Sequence, residues 1–152
     1  MITISVYSVK QVKTKGGLYN LDSKVIRSPR DAYQIIQTVL DIEHEATEVF
    51  GILTLNVKMA VAGIHVLSTG GLSSAIVHPR EVFKAAILNN ATSIICFHNH
   101  PSGDISPSLE DIKMTERLKD AGELMGIPLM DHVIIGDGQY FSFQEQGMII
   151  VG

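Results

Sequence analysis

Apolar and polar side chains alternate at the start of the chain, with Ile2, Ile4 and Val6 set against Thr3, Ser5 and Tyr7, before Lys15-Gly16-Gly17 supplies a turn signal. A period of two predicts a β-rich arm over residues 1–27. Ser28-Pro29-Arg30-Asp31 then reads as a helix start. Serine can cap, proline suits the first helical position, and Asp31 stands where a capping-box carboxylate belongs. Ala32, Ile35, Ile36, Val39 and Leu40 follow with helical spacing. From Glu48 the pattern changes again: Val49, Phe50, Ile52, Leu53 and Leu55 put apolar side chains on both faces, as in a central strand covered on both sides. Residues 56–59 read as a turn and 60–67 as the hairpin partner, ended by Thr69-Gly70-Gly71.

Pro79 opens a second helix to about Asn90, with Val82, Phe83, Ala86 and Ile87 inward. Ser93 to Phe97 is too short for a helix and reads as a buried strand ending at His98. Two prolines and a glycine make 98–107 a loop. Ser108 caps a third helix, whose stripe is Met114, Leu118, Ala121 and Met125 and whose end is Gly126. Residues 128–135, 140–143 and 148–151 read as strands, with Gly136-Asp137-Gly138 as a hairpin turn. The expected fold is α/β of the α+β kind: a mixed sheet with helices on both faces. Residues 28–152 form its domain and residues 1–27 an appended arm.

Composition supports a packed domain. The 152 residues are 45% hydrophobic and 18% charged, whereas disordered chains are poor in apolar residues and rich in charge. The net charge is -4, and the densest basic stretches, Lys10 to Lys15 and Lys24 to Arg30, are not dense runs. Nucleic acid is therefore not the expected partner, although a small local basic patch would suffice for a weak contact. A single cysteine, Cys96, makes no internal disulfide and fits a reducing compartment; it also rules out zinc sites needing two or four cysteines. Its apolar neighbours mark it as a buried strand residue. No apolar run approaches a membrane span and no leader pattern is visible, so a cytoplasmic location and no membrane partner are expected.

The chemistry concentrates in residues 98–111, His-Asn-His-Pro-Ser-Gly-Asp-Ile-Ser-Pro-Ser-Leu-Glu-Asp, at the carboxyl end of the buried strand. Sites in α/β architectures favour that edge. Residues i and i+2 of an extended segment point the same way, so His98 and His100 can converge on one point. Asp111 lies in the first turn of the following helix, where the loop can fold it over the strand end. Two histidines, a carboxylate and an open fourth position make the catalytic type of zinc site. Ser108 and Asp111 also have the spacing of an ordinary capping box, and both roles stay open at this point. Asn99 and Ser102 flank the ligands, and His132 follows Asp131 either as a supporting partner or as a plain strand-end residue.

His98-x-His100, seven residues, Ser108, two residues, Asp111 resembles the JAMM metalloprotease motif of the MPN/JAB superfamily. The longer string, with Val77-His78-Pro79-Arg80-Glu81-Val82-Phe83-Lys84 and Asp131-His132-Val133-Ile134-Ile135-Gly136-Asp137-Gly138, is similar to its bacterial RadC-like branch over residues 28–145. The resemblance implies a cytidine-deaminase-like layered fold. It also implies a general base on an early strand, a position matched by Glu48; read from the sequence alone, Glu48 is a polar residue at a strand start, with Glu43 and Glu45 as neighbouring competitors. A true cytidine deaminase is excluded, because the chain has neither H-x-E nor P-C-x-x-C.

The expected function is a zinc-dependent metallopeptidase or isopeptidase acting on a peptide or protein substrate. Zn²⁺ would be held by His98, His100 and Asp111, Glu48 would be the base, and Ser108 would donate to the oxyanion. Two alternatives stand beside it: a non-catalytic interaction module on the same fold, and a DNA-repair-associated protein of the RadC type. Full-length RadC-like proteins carry a DNA-associated helix-hairpin-helix region, and residues 1–27 are too short for it, which weakens the last alternative.

Overall fold

A computed structural model describes residues 1–70 and 77–150. In chain order it contains α1 (Pro29–Leu40), a 3-10 turn (Ile42–His44), β1 (Val49–Leu55), β2 (Val61–Thr69), α2 (Pro79–Leu88), β3 (Ser93–Asn99), α3 (Leu109–Met125), β4 (Leu129–Gly136) and β5 (Gln139–Ser142). The strands form one sheet in the order β2-β1-β3-β4-β5. Only the β3–β4 pair is parallel; β1 runs antiparallel to both its neighbours, and β5 to β4.

The mixed topology follows from the connections. A tight turn joins β1 to β2, and Gly136-Asp137-Gly138 joins β4 to β5, so those pairs are antiparallel. The β3–β4 link contains α3, the crossover that a parallel pair requires. All seven residues of β1 and of β3 are buried. Their alternate side chains feed two cores. On one face Phe50, Ile52, Ile94, Cys96 and Ile134 meet Val82, Phe83 and Ala86 of α2 and Leu118 of α3. On the other Leu53, Leu55, Ile95, Phe97, Val133 and Ile135 meet Ala32, Ile35 and Ile36 of α1. Fully burying side chains of this size contributes about 1.5–3 kcal/mol each, so the two faces together hold the layers in place. Both caps read from the sequence form, as full capping boxes at Ser28/Asp31 and at Ser108/Asp111.

Four expectations are corrected. Residues 1–20 form no strand, and Ile2, Ile4 and Val6 are exposed; the alternation is present, but no described strand pairs with it, and a β segment without a ladder has nothing to hold it. Only Val25 joins the sheet region, through an isolated bridge to Ala60. Residues 148–150 are not a strand either. The chain turns over at Gln144–Gly147, where Gly147 has φ +72, and Ile149 plugs into the core instead of pairing. Gly71 and Val151, the ends of two expected elements, lie outside the described residues. In α2, Ile87 is 49% exposed. In α3 the buried face is Asp111, Thr115, Leu118 and Gly122. Met114 and Ala121 sit at its margin and Met125 is 46% exposed. The helix is rotated from its apolar stripe because its first two turns present polar groups to the sheet.

Gly122 marks the closest approach of α3 to the chain that follows it. A Cβ there would lie 2.6 Å from the Ile127 carbonyl oxygen, which already accepts no slack: Ile127 N–H donates to the Gly122 carbonyl at 2.9 Å. Replacing glycine by alanine inside a helix ordinarily stabilises by about 1 kcal/mol. Here Gly122→Ala is expected to destabilise by about 1–3 kcal/mol through overpacking. Urea unfolding reads the sign, and a higher midpoint in the variant would show that the Ile127 turn yields instead.

Candidate metal centre

β3 ends in the site. His98 is fully buried at its penultimate position, and His100 follows where the chain leaves the sheet. The His100 N–H still donates to the Ile135 carbonyl of β4 at 2.9 Å, so His100 keeps its strand direction and the two imidazoles face the same side. The loop then turns back. Gly103, with φ +86, lies against Gly136, where an added Cβ would sit 3.0 Å from the Gly103 carbonyl oxygen. Two glycines in contact let the loop lie flat over the end of β4 and deliver Ser108 and the start of α3 to the histidines.

Three donor atoms meet there. His98 Nε2 is 3.0 Å from His100 Nε2 and 3.3 Å from Asp111 Oδ1, and His100 Nε2 is 3.1 Å from Asp111 Oδ2. His98 and Asp111 are buried, and His100 nearly so. The outer nitrogen of His100, Nδ1, faces the Asp104 carbonyl at 2.6 Å. A carbonyl only accepts, so Nδ1 carries the proton and the inward Nε2 of the neutral ring is a bare lone pair. A lone pair and a carboxylate at this distance repel unless a positive charge lies between them. A proton taken up at Nε2 would be shared with Asp111, and this raises the His100 pKa against the opposing effect of burial, with the Asp104 carbonyl and the charges of Asp111 and Glu48 adding to it. Burial alone would raise the Asp111 carboxyl; the facing His100 and His98 rings and the Ser108 N–H outweigh it and hold Asp111 far below the usual carboxylate range. The same arrangement that attracts a proton fits a divalent cation, and nitrogen, nitrogen and carboxylate oxygen are the donor types such ions take.

Asp111 caps its helix and at the same time turns its carboxylate toward the two histidines. Its Oδ2 accepts from the Ser108 N–H at 2.9 Å while facing His100, and its own N–H donates to Ser108 Oγ at 3.1 Å. A serine hydroxyl that accepts there can still donate its own proton toward the site.

Glu48 is half-buried immediately before β1. Phe50 pairs with His98. Continuing that antiparallel register two residues outward sets Glu48 against His100 on the same face. Asn99 fixes this segment. Its Oδ1 accepts from the Val49 N–H at 2.6 Å, and its Nδ2 donates to the Thr47 carbonyl at 3.1 Å, so one buried amide holds the backbone on both sides of Glu48. The competitors lie elsewhere: Glu43 accepts from the Gly138 N–H, and Glu45 is exposed. Among the described residues, Ser102 bonds within its own turn, accepting from the Asp104 N–H. A second group, Asp41, Glu43 and His44, also brings three potential ligand atoms together, but it is solvated, with His44 already bonded to Asp41.

Asp131 and His132 part company. Asp131 points to the α1 face, where it accepts from Ser142 Oγ and from the His132 and Gln144 N–H groups. Burial pushes its carboxyl up to about 6, against those hydrogen bonds. His132 points to the site. Its Nε2 is 2.7 Å from His98 Nδ1, and its Nδ1 is 2.6 Å from Thr115 Oγ1. Burial and the neighbouring His98 hold it well below the usual histidine range, so it is neutral. Sequence reasoning left His132 undecided and missed Thr115. The available signal was the four-residue step from Asp111 to Thr115, which puts both on one face of α3.

The RadC-like JAB domain family matches residues 26–148. A UPF0758 protein of Desulfitobacterium hafniense is 48% identical over 128 residues, covering 82% of this chain and 54% of the relative. UPF0758 proteins of Caldanaerobacter subterraneus subsp. tengcongensis and Methanosarcina mazei are 48% and 45% identical, over 80% and 82% of this chain and 52% and 53% of their own lengths. The chain thus spans about half the length of the curated relatives it matches. No helix among the described residues is long and apolar enough to cross a membrane.

Two outcomes follow from this geometry. Asp111→Asn retains a cap acceptor, so the capping share of its cost in the absence of metal is expected to be about 1 kcal/mol or less. It should nevertheless lose most of the rise in melting temperature that added Zn²⁺ gives the wild type through mass action; equal shifts in the two proteins would remove Asp111 from the ligand set. The second concerns pH. Because the Asp131 pKa is raised from 3.8 to about 6, the folded state binds the extra proton between those values. The contribution of this group is therefore fully present below 3.8 and lost as pH rises through about 6. Relative to Asp131→Asn, which does not titrate, the wild type should lose ~2–3 kcal/mol across that window. Urea unfolding of both proteins at several pH values checks this, and parallel curves would contradict it.

Proposed function

The chain belongs to the RadC-like JAB domain family, and from that premise we propose that it is a zinc-dependent hydrolase of amide bonds, acting on a peptide or on an isopeptide link between proteins. The observation that carries this reading is the convergence of His98, His100 and Asp111, whose inward atoms all lie within 4.8 Å of one another. These three residues would hold the zinc. Bound there, it would polarise a substrate carbonyl and make water a nucleophile near neutral pH.

The chain's own groups supply the rest. Glu48 stands on the site's side of the sheet, on a segment clamped by Asn99, and serves as general base. It takes the proton of the attacking water and delivers it to the departing amine nitrogen. The Ser108 hydroxyl donates to the carbonyl oxygen as that oxygen becomes anionic. Asp111 keeps Ser108 in register through the capping box, so ligand and oxyanion donor are positioned by one helix terminus. A purely structural module would gain nothing from a buried set of facing acceptors, because buried polar groups are costly unless paired.

Glu48→Gln is expected to bind zinc with wild-type stoichiometry and to lose roughly 10²–10⁴ in turnover. Metal analysis, together with cleavage of fluorogenic peptide and isopeptide-linked substrates, measures both. A chelator should abolish cleavage and zinc should restore it. Unchanged turnover in the metal-loaded variant would remove Glu48 from the role, and a zinc-loaded wild type that cleaves neither substrate class would overturn the hydrolase reading.

A further inference from the structure

We infer that Thr115 and His132 are positioning residues that determine which nitrogen of His98 is open to the metal; the inference rests on the zinc reading above. A run of hydrogen bonds whose directions are forced carries it. The Asp111 carbonyl can only accept, and Thr115 Oγ1 lies 2.6 Å from it. The single hydroxyl proton of Thr115 is therefore spent on that carbonyl. His132 Nδ1, 2.6 Å from the same oxygen, must then be the donor in its own contact. His132 is fully buried against Phe143 with only a hydroxyl and an imidazole at its ring nitrogens, a setting that favours the uncharged ring; with its proton on Nδ1 it offers a lone pair at Nε2. His98 Nδ1 lies 2.7 Å from that lone pair and supplies the proton. This leaves His98 Nε2 bare, and Nε2 is the atom facing His100 and Asp111.

Every member of the run is buried, so water offers no alternative partner. It starts at the backbone of Asp111 and ends at His98: one ligand residue, through its own carbonyl, sets the protonation pattern of another. His132 also stacks on Phe143, with ring centroids 4.7 Å apart and planes 6° from parallel. Stacking accounts for the burial of the ring but not for the direction of its two nitrogens. Without the Thr115 oxygen, the His132 proton would be free to move to Nε2. His98 would then have to accept at Nδ1 and carry its own proton on Nε2, pointing at the metal position.

The test compares wild type with Thr115→Val, which keeps the shape and removes the hydroxyl, and Thr115→Ser, which restores it. Zn²⁺ affinity is measured by competition with a chromophoric chelator. The histidine tautomers of the metal-free proteins are read from two-bond ¹H–¹⁵N couplings at a pH where the rings are neutral. Changes to the groups that orient metal ligands typically cost roughly 10–100-fold in affinity. That loss is expected for Thr115→Val, with affinity within about threefold of wild type for Thr115→Ser. In the wild type, His98 should carry its proton on Nδ1; in Thr115→Val the Nε2-protonated form should appear. If Thr115→Val does not melt cooperatively, His132→Phe, which keeps the stacking on Phe143 and removes the acceptor, is expected to show the same loss.

A folded Thr115→Val with wild-type affinity, a Thr115→Ser as weak as the valine variant, or a wild-type His98 protonated on Nε2 would each overturn the inference while leaving the zinc site standing. A wild type that binds no zinc would overturn the site itself.

Discussion

At the end of β3, nitrogens of two imidazoles and the oxygens of a carboxylate face one another across 3.0 to 3.3 Å, with His98 and Asp111 buried and His100 partly so. Groups so arranged repel, and most of the architecture around them serves to hold them still. The sheet register brings His98 and the Glu48 segment to one edge. Asn99 ties the start of β1 to the end of β3, two contacting glycines flatten the intervening loop, and a capping box fastens the carboxylate to its helix. A rigid surround of this kind makes positive charge the natural occupant, because every other way of relieving the repulsion would require a packed layer to move.

Much of this was legible in the sequence because local rules decided it. The period change at Glu48 marks β1, Ser-x-x-Asp marks both capped helices, and the alternation of His98 and His100 at a strand terminus places two rings on one side. What was not legible depended on partners distant in the chain. The apolar stripe of α3 is genuine, yet the helix turns Asp111 and Thr115 inward, because a buried histidine from β4 offers hydrogen bonds that outweigh a better hydrophobic fit. No periodicity encodes that choice. The alternation at Ile2, Ile4 and Val6 fails for the opposite reason: local pattern proposes a strand, but a ladder needs a neighbour. The Met148 segment fails because one side chain, Ile149, fills a core position more favourably than the backbone could pair.

Helix capping and ligand placement are usually described as separate matters, one of stability and the other of chemistry. Here Asp111 joins them. Its carboxylate holds the first turn of α3 and faces the histidines at once, so the order of that turn and the charge in the site are coupled. The Thr115 hydroxyl extends the coupling one turn further along the helix. α3 is thus both a layer of the fold and the rod that sets the site's dimensions.

The contact between Gly103 and Gly136 has a consequence for how such a sequence can drift. The two positions lie 33 residues apart in the chain, yet a Cβ at 136 would press on the backbone at 103 from 3.0 Å. A Cβ at 103, where φ is +86, would in turn meet the Asp137 Cβ at 3.0 Å, so substitutions at 103, 136 and 137 share contacts and do not combine independently. Position 136 belongs to a strand end that looks structurally ordinary, but its freedom to vary is set by the path of the loop that follows His100. The short arc from His100 to Gly103 is constrained from beneath, and beyond it Ile105 packs against the core and the Ser106 N–H donates to Asp104. Change on this surface is therefore easiest at Pro101 and Ser102, which are exposed, and hardest where the loop touches β4 and the core.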